Sequence, residues 1–266
     1  MTRCNISLRC FADAGRPLAY NDSFLSNDST VLVFGSQTTQ DKYQNLVVGT
    51  CGIWVNGKLQ QFCLYDDSVQ QIDKTKFAAH LPNNCTISVM SRDEFACKVF
   101  FPTVYSGRAK CVGFDLPFEI SRLAIHWGKA RKMENGFSFK LTENPVFPNI
   151  RIKNLNGNAA IIQFAAPIRN KSQKKRKAYR GFFLDLKTFH YSMTNKSCED
   201  VFQAGNIESH TNSNRPESSI EKTIVTYRFY QKLVRQFTDV FLLPAECANK
   251  IYSPASIAKN TWRNWE

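Results

Sequence analysis

Three groups of residues in this chain could do chemistry. Asp115 and Glu119 stand four apart in DLPFE, where the apolar run AKCVGF gives way to a helical pattern. Asp115 or a neighbour reads as an N-cap, with Pro117 in the first turn behind it. That reading is structural, and Glu119 is the second carboxylate of the pair. Asp185, inside FFLDLKTF, is a further candidate acid if the strand that carries it reaches the same place. The third group is basic. Lys171, Lys174, Lys175, Arg176, Lys177 and Arg180 crowd one segment with Tyr179 among them. Such cations neutralise phosphates and release counterions, and an aromatic among them can stack on an unpaired base. A solvated loop, or a localisation-like tract, has the same composition.

Other chemistries find no pattern. The histidines His80, His126, His190 and His210 lie far apart, without a serine or cysteine motif to support them. His126 follows an apolar stripe and reads as a satisfied structural residue. The chain holds nine cysteines, an odd number, and none is in a C-x-x-C pair. A disulfide framework or zinc site is therefore not expected, and free thiols fit a reducing cytoplasmic setting.

The elements that must position these residues follow from periodicity and turn chemistry. The chain has 266 residues, 43% of them hydrophobic, enough for a sizeable core. Its 35 basic against 22 acidic residues leave a charge of +13, which favours an anionic partner. No signal peptide is evident at the start and no apolar run approaches bilayer length, so no membrane partner is expected. Residues 1–29 read as a polar arm. VLVF, residues 31–34, reads as a buried strand, and two β-rich runs then flank Asn56-Gly57, a strong hairpin signal. Ser91 and Glu94 form a capping box ahead of a helix on which Phe95, Val99 and Phe100 share a face. AKCVGF is a strand parallel to VLVF. It runs into a helix whose stripe is Ile120, Leu123, Ala124 and Trp127. GFSFKL, NIRIKNL, AAIIQFA and FFLDLKTF read as strands, and SSIEKTIVTYRFYQKLVRQF as a late helix. The whole reads as α/β, a mixed sheet flanked by helices.

Four pieces, VFGSQTTQD, VGFDLPFEISRLA, FFLDLKTF and TIVTYRFYQKL followed by YSPASIAK, together resemble one family. It is the ribonuclease-H-like 3′–5′ exonuclease domain of the DEDD type found with family-B-like DNA polymerases of plasmids and phages. The resemblance covers roughly residues 30–260. It implies a ribonuclease-H-like domain over 30–245 and a tail, 246–266, like the start of a link to a polymerase region. It also implies four carboxylates around two divalent metal ions that clamp the attacking water and the leaving oxygen. The first strand should carry two of those acids, but the matching positions are Gly35 and Gln37. The second motif falls on Asp115 and Glu119. On the late helix the acid position is Lys222 and the tyrosine position is Ser218; Glu221, one residue round, points about 100° away. The resemblance therefore implies a nucleic-acid-binding domain of DNA replication whose cleavage is largely lost. Its expected partner is DNA, single-stranded or as 3′ ends. Mg²⁺ or Mn²⁺ would be needed only by an active enzyme, with Asp115, Glu119, Asp185 and perhaps Glu221 as a rearranged acid set. A third expectation is a pseudoenzyme that contacts a replication protein.

Overall fold

The computed structural model describes residues 27–68, 78, 80–131, 133–166, 179–196 and 217–265. The basic residues Lys171, Lys174, Lys175, Arg176 and Lys177 fall outside them, as does most of the polar arm.

A six-stranded mixed sheet forms the centre. Its strands are β1 (Asn27–Thr38), β2 (Leu46–Val55), β3 (Lys58–Tyr65), β4 (Thr86–Met90), β5 (Ala109–Gly113) and β10 (Phe182–Asp185). The order across the sheet is β10-β5-β1-β2-β3-β4. β2 runs antiparallel to both neighbours, whereas β1, β5 and β10 are mutually parallel. β1 starts at Asn27, four residues before VLVF and inside the segment 1–29 that reads as a polar arm. At the β2–β3 hairpin Asn56 and Gly57 both take positive φ, +50° and +79°, as a two-residue turn matched to strand twist requires.

VLVF is apolar throughout because β1 is covered on both faces. Leu32 and Phe34 face a core built with Phe95, Phe100 and Phe101. These belong to α1 (Arg92–Phe95) and the π-helical stretch that continues it, Ala96–Ser106. The capping box at Ser91 and Glu94 is present. Pro102 lies inside the wide turns, and Gly107 closes them with a hydrogen bond from its amide to the Pro102 carbonyl at 2.8 Å. Val31 and Val33 face the opposite way, toward α3 (Leu186–Thr194) and α4 (Glu217–Phe241). Tyr227, Tyr230, Leu233 and Phe237 supply the buried stripe of α4 at helical spacing. Ala248 and Ile251, at a 3₁₀ turn over Ala245–Lys250, join this core with Ile257 of α5 (Pro254–Trp265). Among the described residues no helix is long and apolar enough to cross a membrane.

A second sheet, antiparallel, has the order β6-β7-β8-β9. It contains β6 (His126–Lys129), β7 (Phe137–Lys140), β8 (Ile150–Asn156) and β9 (Ala159–Phe164). Two expectations are corrected at its margins. The helix after β5, α2 (Leu116–Leu123), stops before Trp127, which lies in β6. Ala124 is already extended, so the apolar stripe does not continue; Trp127 and His126 are exposed strand residues. FFLDLKTF is a strand only to Asp185, because Asp185 caps α3 and turns the chain into a helix.

Candidate functional site

The carboxyl ends of parallel strands are where α/β sheets place ligands, because the chain turns there into loops and helix N-termini. Here β5 and β10 end side by side, at Gly113 opposite Asp185, and β1 runs on to Thr38. β5 pairs with β1 only as far as Val33, opposite Val112. Among the described residues no strand pairs with residues 35–38 of β1 on that side, and α2 and α4 pack against β1.

Glu119 is 2% exposed on α2. Its Oε1 accepts a hydrogen bond from Lys222 Nζ of α4 at 3.2 Å. The same ammonium donates to the Ser36 carbonyl of β1 at 3.3 Å. Three chain segments, at positions 36, 119 and 222, thus meet at one nitrogen. The Lys222 side chain is 39% exposed, so the pair opens to solvent from the α4 side. Among the described residues, Glu119 Oε2, Gln37 Oε1 and Ser36 Oγ are buried and find no hydrogen-bond partner, whereas buried polar groups are nearly always satisfied. Glu221 is exposed on α4, and Ser218 lies in its first turns.

Gly35 is required by packing. A Cβ there would sit 2.4 Å from Thr223 Oγ1, 2.8 Å from Thr50 Oγ1 and 3.3 Å from the Ser219 carbonyl. α4 approaches β1 over this glycine and is tied down beside it. Thr50 Oγ1 is 2.7 Å from Thr223 Oγ1 and lies within hydrogen-bond reach of the Gly35 and Ser219 carbonyls. Any side chain at position 35 would enter volume the threonines hold.

The other two acids are engaged elsewhere. Asp115 Oδ1 accepts from the Phe118 amide at 3.3 Å as the α2 N-cap, and Oδ2 lies 3.5 Å from Lys187 Nζ. Asp185 caps two helices at once. Its Oδ1 accepts from the Leu116 amide at 2.8 Å, at the start of α2. Its Oδ2 accepts from the amide and hydroxyl of Thr188 in α3, at 2.9 and 2.5 Å. Burial pushes the Asp185 carboxyl up to about 6, against the opposing pull of these hydrogen bonds and with a smaller upward push from Asp115.

The polar patch after β1 is a turn. Asp41 Oδ1 accepts from Thr39 Oγ1 and from the amides of Tyr43 and Gln44. Arg122 of α2 then holds the turn through the Tyr43 and Gln44 carbonyls, at 2.9 and 2.7 Å. Tyr179, which the sequence offers as an aromatic able to stack on an unpaired base, packs against the protein. Its hydroxyl donates to the Val104 carbonyl at 3.2 Å and its ring packs beside Tyr105, Phe164 and Phe182. That packing commits it to the protein. Arg180 is exposed next to it.

The structure therefore brings Glu119 and Lys222 together at the Ser36 carbonyl, between Gly35 and Gln37 in β1, and brings Asp115 and Asp185 to neighbouring helix starts. Thr50, Ser219 and Thr223 shape the site, and no sequence signal marked them, since small hydroxyl residues carry no motif. A threonine facing a glycine from the late helix is the kind of pairing only a register of β1 against α4 could reveal. Among the described residues no three His, Cys, Asp or Glu side chains form a group suited to a metal ion. No family model, no curated protein and no solved structure matches this chain.

Proposed function

We propose that this chain is a nucleic-acid-binding domain of the ribonuclease-H-like, 3′–5′ exonuclease type associated with DNA polymerases, with strand cleavage lost and strand binding kept. The observation that carries the reading is the position of Lys222 Nζ, 3.2 Å from Glu119 Oε1 and 3.3 Å from the Ser36 carbonyl. An ammonium is held there by the oxygens a divalent cation would seek. Mg²⁺ requires hard oxygen ligands in a tight octahedron. The residues present do not fit it: one carboxylate already paired with a lysine, a neutral Gln37 carbonyl, and a glycine whose side-chain volume is occupied by Thr223 and Thr50. Three of the four segments of the resemblance meet at that ammonium, through Ser36, Glu119 and Lys222, and this meeting supports the reading. The charge of +13 supports binding to a phosphate backbone, through the basic tract 171–180 and the partly exposed Lys222.

One observation favours an active enzyme with a rearranged acid set, namely the neighbouring carboxyls of Asp115 and Asp185. Their oxygens, however, are engaged by helix amides and Lys187. A protein-interaction role with a replication partner would leave the cleft idle. A labelled single-stranded DNA incubated with Mg²⁺ or Mn²⁺ separates these readings. Retention of the oligonucleotide without shortening is the expected result. Metal-dependent shortening that disappears in Glu119→Gln would overturn the proposal, as would failure to hold DNA at low salt.

A further inference from the structure

The hairpin of β6 and β7 carries an aromatic surface that the core does not use. Trp127 is 72% exposed and Phe137 41% exposed, with ring centroids 6.0 Å apart in an edge-to-face arrangement. Cross-strand register pairs Trp127 with Phe139 and Lys129 with Phe137, so all four side chains share one face of the sheet. Register continues that face onto Ile150 and Ile152, which are buried. The apolar face of the second sheet thus runs past the edge of its core and ends in an open tryptophan. The platform is fixed in place. Arg151 Nη1 donates to the Arg131 carbonyl at 3.1 Å just beyond β6, and the Ile125 amide donates to the Lys140 carbonyl at 2.9 Å just before it.

The charge around the rings points to the partner. Lys129 and Arg131 are exposed beside them, and Lys140 and Lys153 lie on the opposite face of the same sheet. Two acids balance part of this: Glu143, which pairs with Lys140 and lies 3.5 Å from His126, and the exposed Glu134. Exposed aromatic faces interleaved with cations suit unpaired bases on a phosphate chain, the rings taking the bases and the cations the phosphates. We infer that the β6–β7 hairpin is a stacking platform for a single-stranded nucleic acid, with bases on Trp127 and Phe137 and the backbone along Lys129 and Arg131. This rests on the nucleic-acid-binding reading above and adds a site outside the cleft. β6 begins three residues after α2, the helix that carries Glu119, so the platform joins the cleft through a short, hydrogen-bonded connection.

Fluorescein-labelled oligothymidine, oligouridine and a DNA duplex, titrated with the wild-type protein and with Trp127→Ala, Phe137→Ala and the double variant, test it. Stacking contributes enough per base that each single variant should weaken single-strand binding roughly 5- to 100-fold, with duplex binding unchanged. Both rings are exposed, so melting temperatures should stay within a few degrees. Trp127 emission should be quenched by the oligonucleotide, and that quench should vanish in Trp127→Phe. The two single-strand arms assign the sugar, since stacking itself accepts either. If the wild-type protein holds the oligonucleotides and the double variant holds them equally well, the platform is overturned while the proposed function stands. Equal losses for single strand and duplex also overturn it. If the wild-type protein binds no oligonucleotide at all, both fail together.

Discussion

A carboxylate buried to the depth of Glu119 must be neutralised, protonated or paired. Lys222 pairs it, so removing the lysine should cost more than a surface ion pair does. Loss of one partner of a fully buried pair costs roughly 3–5 kcal/mol; with the Lys222 side chain 39% exposed, about 2 kcal/mol is expected for Lys222→Met. Combining it with Glu119→Leu should recover most of that loss, which urea denaturation of the single and double variants would show. Asp185 sets a separate dependence on pH. Its folded carboxyl lies above its unfolded value, at about 6 against 3.8, so the folded state binds the proton more tightly. The stability this contributes is fully present below about pH 4 and is lost as pH rises through 6, on the order of 3 kcal/mol. Asp185→Asn should flatten that slope in denaturation measured from pH 4 to 7. It should also cost stability at pH 7, because an amide cannot accept from both the Leu116 and Thr188 groups. At this scale the sequence was legible for charged residues. Glu119 could be singled out in DLPFE and Lys222 only through the resemblance, but the bond between them spans 103 positions and no local pattern encodes it.

The contact of α4 with β1 decides what the cleft can hold. It depends on a glycine at position 35, where the Thr50 and Thr223 hydroxyls and the Ser219 carbonyl close in. Gly35→Ala should destabilise by about 1–3 kcal/mol through overpacking, read from the urea midpoint. Gly35→Asp should destabilise further and restore no metal-dependent cleavage, because the carboxylate has nowhere to project. Cleavage gained by Gly35→Asp combined with Lys222→Asp would show that α4 yields more easily than this packing implies. Elements with strong local signals were readable: the capping box at Ser91 and Glu94, the Asn56-Gly57 hairpin, the buried run VLVF, and the long stripe of α4. The errors fell where a short element ends. Trp127 continues the apolar spacing of α2, yet the helix stops at Leu123, and nothing between Ala124 and Trp127 announces the stop. In FFLDLKTF the apolar alternation runs on through Asp185, which reads as a strand residue until its carboxylate is seen capping a helix. β4 lacks a hydrophobic run, and its residues are only partly buried.

For the molecule as a whole, a charge of +13 accompanies a central sheet with an apolar core on each face. If five to eight phosphates of a single strand are neutralised, log Kd should rise with log salt at a slope of about 3–6. A slope near zero in titrations across salt concentrations would remove nucleic acid as the partner. The mixed α/β class was legible because strand and helix patterns alternate along the chain. The division into two sheets was not, because it depends on which edges pair, and GFSFKL, NIRIKNL and AAIIQFA read alike whether they extend the central sheet or build their own. On the proposed function, the Lys222 ammonium stands where a divalent cation would otherwise bind Glu119. Anomalous scattering from crystals soaked in Mn²⁺ tests it most directly. The expected result is no manganese at the Glu119 carboxylate and Lys222 Nζ still hydrogen-bonded to Oε1. A manganese ion bound to that carboxylate, with the lysine swung out to solvent, would contradict it.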